Sequence, residues 1–403
     1  MSGPAASGGP PPIVPKRPAP PPPPSASGSP PPPALIPRGA SARPMNAAFL
    51  AIMQRQIVGP AHGLHSVKTA SSISCVRENL PEKERYLKQF PISSPAKVSG
   101  SSEGVNGVLF ASTTQPEADR PSKVVLKKFS HSQNPVLELL PSMLLLPHFQ
   151  APSFTTFSVQ DTRTLKDNLS ISSQSHDQAL FEFQQLFTES STPTVIVMEH
   201  LAARNLHDIS PTDMQGYAQN PKTGFLSNVG RLLAFDIFFH NTDRFPVMNE
   251  IGEAANPSSY GNKGNLMLTS FGSDTPEGSL VVIDTNIVPF KGSPDLYLEK
   301  IAKLLPALLS EDPSAFKDLV IEPLQKYFGI TFSDPQIEEI KSGFKLGVGQ
   351  VRETMTPTCM ISSITTLQEK YLNGGNKDHC EQVKTLLPTY FTPMHDIFAQ
   401  NAS

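Results

Sequence analysis

The sequence predicts an α+β fold of two lobes, with a mostly helical large lobe and a disordered proline-rich segment at the N-terminus. Short apolar segments typical of strands lie between residues 100 and 200, whereas apolar residues at helical spacings of three and four recur beyond residue 284. Prolines are concentrated at the start, where the first 44 residues contain 17 of the 42 prolines. A chain of 403 residues can hold two lobes of about 250 to 300 residues in total and a separate N-terminal arm.

We predict five segments from these changes in composition. They are a disordered proline-rich arm at 1–44, a helix and strand motif at 45–70, a linker at 71–99, a small lobe at 100–200 and a large lobe at 201–403. The arm has no acidic residue and mostly Gly, Ser and Ala between its prolines, so it cannot bury enough apolar surface to fold. Repeated prolines favour extended polyproline II instead.

Helices are predicted in the large lobe beyond Asp284. The segments with the clearest helical spacing are Leu296–Leu305, Pro335–Phe344 and His379–Leu387. Pro306 is expected to end the first of these helices, because proline lacks the backbone N–H that a helix interior needs. Ser and Asp at 333 and 334 are expected to cap the start of the second.

Three polar residues stand at the ends of apolar segments in the large lobe. Asp243 follows an apolar helical segment, Asn265 begins a short apolar strand and Asp284 ends another. A carboxylate can position and deprotonate an attacking hydroxyl, and the hard oxygens of Asn and Asp suit Mg²⁺ bound to ATP phosphates. We therefore predict phosphoryl transfer, with Asp243 and Arg244 as catalytic residues and with Asn265 and Asp284 as metal ligands.

A phosphate-binding region is expected upstream. Gly104 and Gly107 lie in a short turn, where glycine lets backbone amides approach phosphates without a Cβ in the way. The segment Lys123–Phe129 has the pattern of a strand with a basic end. Lys127 is predicted to bind phosphate, and Lys128 is the alternative because a shift of one residue reverses the face that a strand presents.

Two further segments complete the predicted nucleotide site. Pro135–Leu140 begins a largely apolar helix that carries Glu138, which we expect to pair with the phosphate-binding lysine. Thr194–Leu201 has the composition of a buried strand that runs into polar residues. The end of this strand, around Glu199 to Leu201, resembles the hinge of kinases, which implies that its backbone hydrogen-bonds adenine.

The segments around the three polar residues resemble the actin-fragmin kinase family, an outlying branch of the protein-kinase superfold close to the phosphoinositide kinases. Asn241–Pro246 matches the family's Asn-Ser/Thr-Asp-Arg-hydrophobic-Pro loop, Gly261–Leu266 matches its Gly-Asn-x-x-Asn-Leu segment, and Val281–Asp284 matches its strand ending in Ile-Asp. In ordinary protein kinases the metal-binding Asn follows the catalytic Asp by about five residues. Here Asn265 lies 22 residues after Asp243, as in the family. The resemblance implies a two-lobed protein-kinase-like fold, ATP with Mg²⁺ as cosubstrate and metal, and phosphorylation of a Thr or Ser hydroxyl on actin.

The proline-rich arm contains motifs typical of ligands for small binding domains. The runs Ala19–Pro24 and Pro30–Pro33 are of the kind that profilin-like grooves accept. Arg17–Pro23 and Pro12–Arg17 fit the two orientations of a Src-homology-3 ligand. The alternative is that the arm is only a low-complexity spacer.

A short amphipathic helix is predicted immediately after the arm, in Asn46–Ile57. Its apolar stripe consists of Phe49, Leu50, Met53 and Ile57. Because an isolated helix of this length is marginal in water, the stripe needs a partner. Together with Leu64–Thr69, this segment resembles the WASP-homology actin-binding motif, which implies binding of an actin monomer. The alternative is that the helix packs on the catalytic lobes of its own chain.

Composition and charge restrict the classes of partner and compartment. Residues 1 to 100 carry a net charge of +8 and the remainder carries −11, so the basic part suits an acidic protein such as actin. Nucleic acid is not expected, because basic and aromatic residues do not interleave. Three scattered cysteines fit a reducing cytosol, and we find neither a signal peptide nor an apolar run long enough to span a bilayer. We expect a cytoplasmic, cytoskeleton-associated protein, or one in the host cytoplasm if the chain is a bacterial effector.

Two other functions remain open from the sequence. A non-catalytic actin-binding scaffold on a degenerate kinase fold would retain the arm without binding ATP, but the three polar residues of the predicted site are all present. A lipid kinase of the phosphoinositide class would retain the site and act at membranes. The large lobe has no basic or amphipathic segment of the kind that faces a membrane.

Overall fold

The computed structural model describes residues 97–100, 108–112, 123–129, 133–156, 194–248, 261–269, 278–290, 292–372 and 377–402. All of them belong to one compact unit, Lys68–Ser403. The proline-rich arm, the helix and strand motif at 45–70, and Gly104 with Gly107 lie outside the described residues. Within the described part, a sheet-based small lobe precedes a helical large lobe, which confirms the predicted α+β class.

The small lobe contains an antiparallel sheet in the spatial order β1-β2-β3-β5-β4. Its strands are β1 (Lys97–Gly100), β2 (Val108–Ser112), β3 (Lys123–Phe129), β4 (Phe154–Thr156) and β5 (Thr194–Glu199). In β3, Val124 and Leu126 point to one face and are fully buried. Because side chains alternate along a strand, Val125 and Lys127 share the opposite face, while Lys128 lies with Val124 and Leu126.

Helix α1 (Val136–Leu145) packs against this sheet through an apolar face. Val136, Leu139 and Leu140 are buried in the same core as Phe129 of β3. Glu138 is also buried on α1, which brings a carboxylate into an otherwise apolar interface. A buried carboxylate needs a partner, and this requirement leads to the site described below.

A second antiparallel sheet lies at the start of the large lobe. It consists of β6 (Ala203–Asn205), β7 (Leu266–Thr269) and β8 (Leu280–Val282), with β7 in the middle. A 3₁₀ turn, Lys263–Asn265, leads into β7, and Asp284 follows shortly after β8. The ends of these strands therefore carry the two residues that were predicted as metal ligands.

The large lobe is otherwise helical. Its helices are α2 (Pro211–Gln219), α3 (Phe225–Phe239), α4 (Asp295–Leu309), α5 (Ser314–Phe316), α6 (Glu322–Phe328), α7 (Asp334–Thr354), α8 (Pro357–Thr366), α9 (Lys377–Leu386) and α10 (Thr392–Asn401). Turns of π-helix at Lys317–Ile321 and Leu387–Phe391 join consecutive helices, and a third at Leu367–Tyr371 follows α8. Among the described residues, no helix is both long and apolar enough to cross a membrane.

The three predicted helices are present, with one error at a boundary. Ser333 caps α7 as expected, and its backbone N–H donates to the side chain of Gln336. Pro306, however, does not end its helix, because α4 continues to Leu309. Leu305 and Leu308 are buried at the end of α4, and the burial of this extra turn offsets the hydrogen bond that proline cannot make, a penalty of about 3 kcal/mol.

The large lobe is organised around the contact between α3 and α7. Glycines let the two backbones approach closely: a Cβ added at Gly230 would lie 2.0 Å from the carbonyl oxygen of Ile340. One added at Gly343 would lie 2.1 Å from the carbonyl oxygen of Ser227. Helix α3 is thereby held in one position, and the residues that follow its C-terminus form the candidate site.

Candidate active site

Lys127 joins two carboxylates that lie far apart in the sequence. Its Nζ donates to Oε1 of Glu138 at 2.7 Å and to Oδ1 of Asp284 at 3.0 Å. Burial by itself lowers the pKa of Lys127, but the charges of Glu138 and Asp284 outweigh this effect and raise the pKa above its ordinary value. Lys127 therefore stays an ammonium group. Of the two lysines considered, Lys127 is the one on the same face of β3 as Val125, which lines the nearby cavity.

Asp243 is an exposed carboxylate held by two asparagines. Asn265 donates from Nδ2 to Oδ2 of Asp243 at 2.8 Å. Asn262 donates to Oδ1 of Asn265 at 3.0 Å and lies 3.5 Å from the same Asp243 oxygen. The backbone N–H of Asn262 also donates to the carbonyl oxygen of Asp243 at 2.7 Å. These bonds fix one oxygen of the carboxylate, Oδ2.

Arg244 has a different environment from its neighbour. Its side chain is 0% exposed and forms an ion pair with the equally buried Asp236 of α3. It also donates to the carbonyl oxygen of Ile283 at 3.0 Å and to Oγ1 of Thr285 at 2.7 Å. The structure corrects the prediction that Arg244 acts with Asp243 in catalysis. A fully buried guanidinium cannot touch a substrate, and Arg244 instead ties the loop after α3 to the segment that carries Asp284.

Two residues next to the site have left-handed backbone conformations. His240, which ends α3, has φ 54°, and Asp284 has φ 50°. A residue other than glycine in this region costs of order 1–3 kcal/mol and persists only where the surroundings impose it. For His240 the surroundings include a 2.8 Å contact from Nδ1 to the carbonyl oxygen of Val288 and a ring stacked 4.1 Å from Phe290. For Asp284 they include the bond from Lys127.

A cavity of about 360 Å³ lies between the two sheets and has the size of a small-molecule site. Its apolar lining consists of Val108, Phe110, Val125, Pro152, Met198, Leu201, Met267 and Ile283. Its polar lining includes Glu199, His200, Asn205, His207, Asn262, Asn265 and Asp284. The cavity therefore combines apolar side chains from both sheets with a polar group formed by Asn262, Asn265 and Asp284.

The predicted adenine-binding segment lines this cavity, although part of its backbone is already bonded. The N–H of Glu199 donates to the carbonyl oxygen of Ser153 at 2.9 Å, and the N–H of Ala203 donates to the carbonyl oxygen of Leu201 at 2.9 Å. The Glu199 amide is thus occupied within the sheet. Hydrogen bonds to a base at this segment would have to come from its other backbone groups.

The sequence-family model of the actin-fragmin kinase catalytic domain matches residues 81–344 of this chain. This chain belongs to the actin-fragmin kinase family. No curated protein sequence matched the chain significantly. A solved structure described as an aminoglycoside phosphotransferase from Ralstonia eutropha covers 80% of this chain and 96% of its own, with 10% sequence identity and a TM-score of 0.26. The family match confirms the resemblance seen in the sequence and the two-lobed protein-kinase-like fold.

The residues of this kinase-like cleft fit a magnesium ion that is bound together with phosphates. Asp284 offers a carboxylate oxygen and Asn265 an amide oxygen, and both line the cavity. In the described part of the chain, no group of three or more His, Cys, Asp or Glu side chains is placed to hold a metal. Mg²⁺ usually takes only one or two carboxylates from the protein and completes its shell with phosphates and water, so this donor set is sufficient.

Several residues of the site were not found from the sequence. Asn262 stands within the matched Gly-Asn-x-x-Asn segment, so the motif itself could have drawn attention to it. Asp236 is a single charge on the otherwise apolar second half of α3, a pattern that predicts a buried partner. Asn205 and Thr285 carried no comparable signal, because their roles depend on contacts with distant segments. Asn205, for example, donates to the carbonyl oxygen of Gly264 at 3.3 Å.

Proposed function

We propose that this chain transfers the γ-phosphate of ATP to a Thr or Ser hydroxyl on actin. The observation that carries the proposal is the exposed Asp243 carboxylate, which accepts a hydrogen bond from Asn265. Asn265 itself lines the cavity together with Asp284. The Lys127 and Glu138 pair adjoins the same cavity through Asp284. Membership of the actin-fragmin kinase family supports actin as the acceptor.

Asp243 is proposed to orient and deprotonate the acceptor hydroxyl. Its Oδ2 accepts hydrogen bonds from asparagine amides, so Oδ1 is the oxygen that would accept the proton. The acceptor oxygen then bonds to the γ-phosphorus as the bond from that phosphorus to the bridging oxygen breaks, and ADP leaves. The Asn265 amide that donates to Oδ2 also holds the carboxylate in one orientation.

The nucleotide is proposed to occupy the cavity between the two sheets, with its base against the apolar lining. Lys127, held by Glu138, would contact the phosphates as a fixed positive charge. Asn265 and Asp284 would hold Mg²⁺, which would neutralise charge on the phosphates. Gly104 and Gly107 are proposed to cover the phosphates; both lie outside the described residues.

The N-terminal region is proposed to hold the substrate. The helix and strand motif at 45–70 would bind an actin monomer, and the proline-rich arm would bind profilin or Src-homology-3 domains. A second contact made through a short flexible linker has an effective concentration of order mM, so the tether would raise the apparent affinity for actin. Binding of this kind implies a cytoskeleton-associated protein in the cytoplasm.

Incubation of the full chain with labelled ATP, Mg²⁺ and actin tests the proposal, with mass spectrometry of the products. We expect phosphate on a Thr or Ser of actin, and Asp243→Asn is expected to lower the rate by about 10²- to 10⁴-fold, the usual contribution of a general base. Asp318→Asn, at an exposed position on the π-helical turn before α6, is the matched control and should not change the rate.

Either of two results would overturn this proposal in favour of another function. Actin binding without any ATP turnover would indicate a scaffold. Phosphate transfer to phosphoinositide vesicles, with actin left unmodified in a parallel reaction, would indicate a lipid kinase.

A further inference from the structure

Lys263 lies beside Asp243 but outside the nucleotide cavity. It begins the 3₁₀ turn Lys263–Asn265, in which Gly264 and Asn265 line the cavity, as does the preceding Asn262. Lys263 does not line it. Its side chain therefore leaves the turn on a different side from its neighbours, away from where a nucleotide would bind.

The backbone of Lys263 is held in place relative to Asp243. Asn262 caps the turn, because its Oδ1 accepts from the N–H of Gly264 at 2.9 Å. The same asparagine donates its own N–H to the carbonyl oxygen of Asp243 at 2.7 Å. At the other end of the turn, Asn265 donates to the Asp243 carboxylate at 2.8 Å. Lys263 thus lies between two residues that are both bonded to the proposed base.

The ammonium group of Lys263 rests over an aromatic ring. Nζ lies 5.5 Å from the centre of the ring of Tyr327, a distance typical of a cation–π contact. Tyr327 is buried and contacts Phe245, two residues after Asp243, with ring centres 5.9 Å apart. Among the residues that the structure describes, no carboxylate lies within 4 Å of this Nζ. The ammonium group therefore contacts the face of the Tyr327 ring and has no carboxylate counter-ion among the described residues.

The charges around the site act on Tyr327 and on an acceptor alike. Burial raises the pKa of Tyr327; the positive charge of Arg244 opposes this shift, and the negative charges of Asp236 and Asp243 add to it. The hydroxyl of an acceptor protein must approach the exposed carboxylate of Asp243. If an acidic residue stands next to this hydroxyl in the acceptor, the negative charge of Asp243 repels it. A lysine on a flexible stem at this position would offset the repulsion, since its ammonium can turn to meet a carboxylate.

We propose that Lys263 binds a carboxylate of the acceptor protein next to the accepting hydroxyl, and so selects acidic acceptor segments. This inference rests on the proposed function. It adds an acceptor-binding residue to the nucleotide-binding, metal-binding and base residues proposed above.

Lys263→Met tests the inference, because methionine keeps much of the length and apolar stem and removes the charge. We expect KM for actin to rise about tenfold with kcat nearly unchanged, as for loss of one charge-assisted hydrogen bond. Hydrolysis of ATP with water as the acceptor should keep its rate. Lys263→Arg should recover most of the affinity for actin. Lys345→Met removes the same charge from an exposed position on α7 and should leave both reactions unchanged.

Once the modified residue is mapped, neutralising the acidic residue next to it on actin should abolish the effect of Lys263→Met. A loss of kcat in both actin phosphorylation and ATP hydrolysis would instead place Lys263 on the transferred phosphate and overturn the acceptor role. Parental kinetics in Lys263→Met, with an active parent chain, would overturn the inference alone. Failure of the parent chain to phosphorylate actin would overturn the proposed function and this inference with it.

Discussion

Asp243 and Arg244 are neighbours in the chain with opposite environments, and the difference separates their roles. The carboxylate of Asp243 is exposed and is oriented by asparagine amides. The guanidinium of Arg244 is fully buried and bonded to Asp236, Thr285 and the backbone of Ile283. One side chain can therefore reach an acceptor, while the other holds together two loops of the site.

Arg244→Met should destabilise the fold, because it leaves the buried Asp236 without its cation. Removal of one partner from a buried ion pair typically costs about 3 to 5 kcal/mol. Urea unfolding would measure the loss as a shift of the midpoint at unchanged slope. The double variant Asp236→Leu with Arg244→Met removes both charges and should regain part of the lost stability. An unchanged midpoint in the single variant would show that the pair does not stabilise the loop.

His148 should make stability depend on pH below neutrality. Burial lowers the pKa of His148 to about 4, and the charge of Arg231 acts in the same direction. The ordinary value is 6.5, so between pH 6.5 and 4 the unfolded chain binds a proton that the folded chain does not bind. Stability should therefore fall as pH drops through this window, by about 1 to 3 kcal/mol after allowance for solvent screening.

Unfolding by urea at pH 7 and pH 5 would measure this effect. The imidazole Nε2 lies 3.2 Å from Oγ1 of Thr354, a contact that a glutamine amide can replace, so His148→Gln should fold and lose part of the pH dependence. His207→Gln, at an exposed position, should retain the parental difference between the two pH values. Equal pH dependence in both variants would count against the assignment to His148.

Among the secondary-structure elements, α3 determines where the catalytic loop begins. Two tyrosine hydroxyls from other elements donate to carbonyl groups in its last turn. Tyr297 of α4 donates to the carbonyl oxygen of Ile237 at 2.8 Å, and Tyr390 donates to that of Phe238 at 2.6 Å. The end of α3 is thereby fixed just before the residues that lead to Asp243.

The close packing of α3 on α7 predicts a strong difference between two glycines of α7. Gly343→Ala should destabilise the protein by about 1 to 3 kcal/mol or more, because the new Cβ would lie 2.1 Å from the carbonyl oxygen of Ser227 and push the helices apart. Gly349 has no atom within 4 Å of an added Cβ, so Gly349→Ala should be neutral or stabilising by up to about 1 kcal/mol. Thermal unfolding of the two variants would separate them. Equal behaviour would mean that α3 and α7 do not pack as closely as described.

At the scale of the whole molecule, the proposed tether separates actin binding from catalysis. Leu50→Asp would place an unpaired charge in the apolar stripe of the predicted actin-binding helix, at a cost of several kcal/mol if that stripe is buried on actin. We expect weaker binding of actin monomers and a higher KM for actin phosphorylation, with phosphorylation of a short generic peptide unchanged. Ser41→Asp, which adds the same charge within the proline-rich arm, is the control. Equal loss on actin and on the peptide would show that the helix packs on the catalytic lobes.

The sequence was sufficient for features that depend on local patterns. The strand pattern of β3 and the helical pattern of α1 predicted that a lysine at 127 or 128 pairs with Glu138, and the structure has Lys127 in that pair. The order of Asp243, Asn265 and Asp284 within three short motifs was enough to indicate the family and its fold. The predicted end of α4 at Pro306 was wrong, because the burial of Leu305 and Leu308 is a property of the packed core and cannot be seen in the local pattern.

Apart from the pairing of Lys127 with Glu138, only the tertiary structure decided which partners the polar residues of the site have. Lys127 contacts Asp284 across 157 residues of sequence, and no periodicity links the two positions. Arg244 was expected to act in catalysis from its place beside Asp243, but packing of α3 against the segment after β8 buried it on Asp236. Local patterns reflect backbone geometry, which each short segment determines for itself. Burial and ion pairing depend on which segments the fold brings together, and in this chain they separate the residue that can reach a substrate from the residue that supports it.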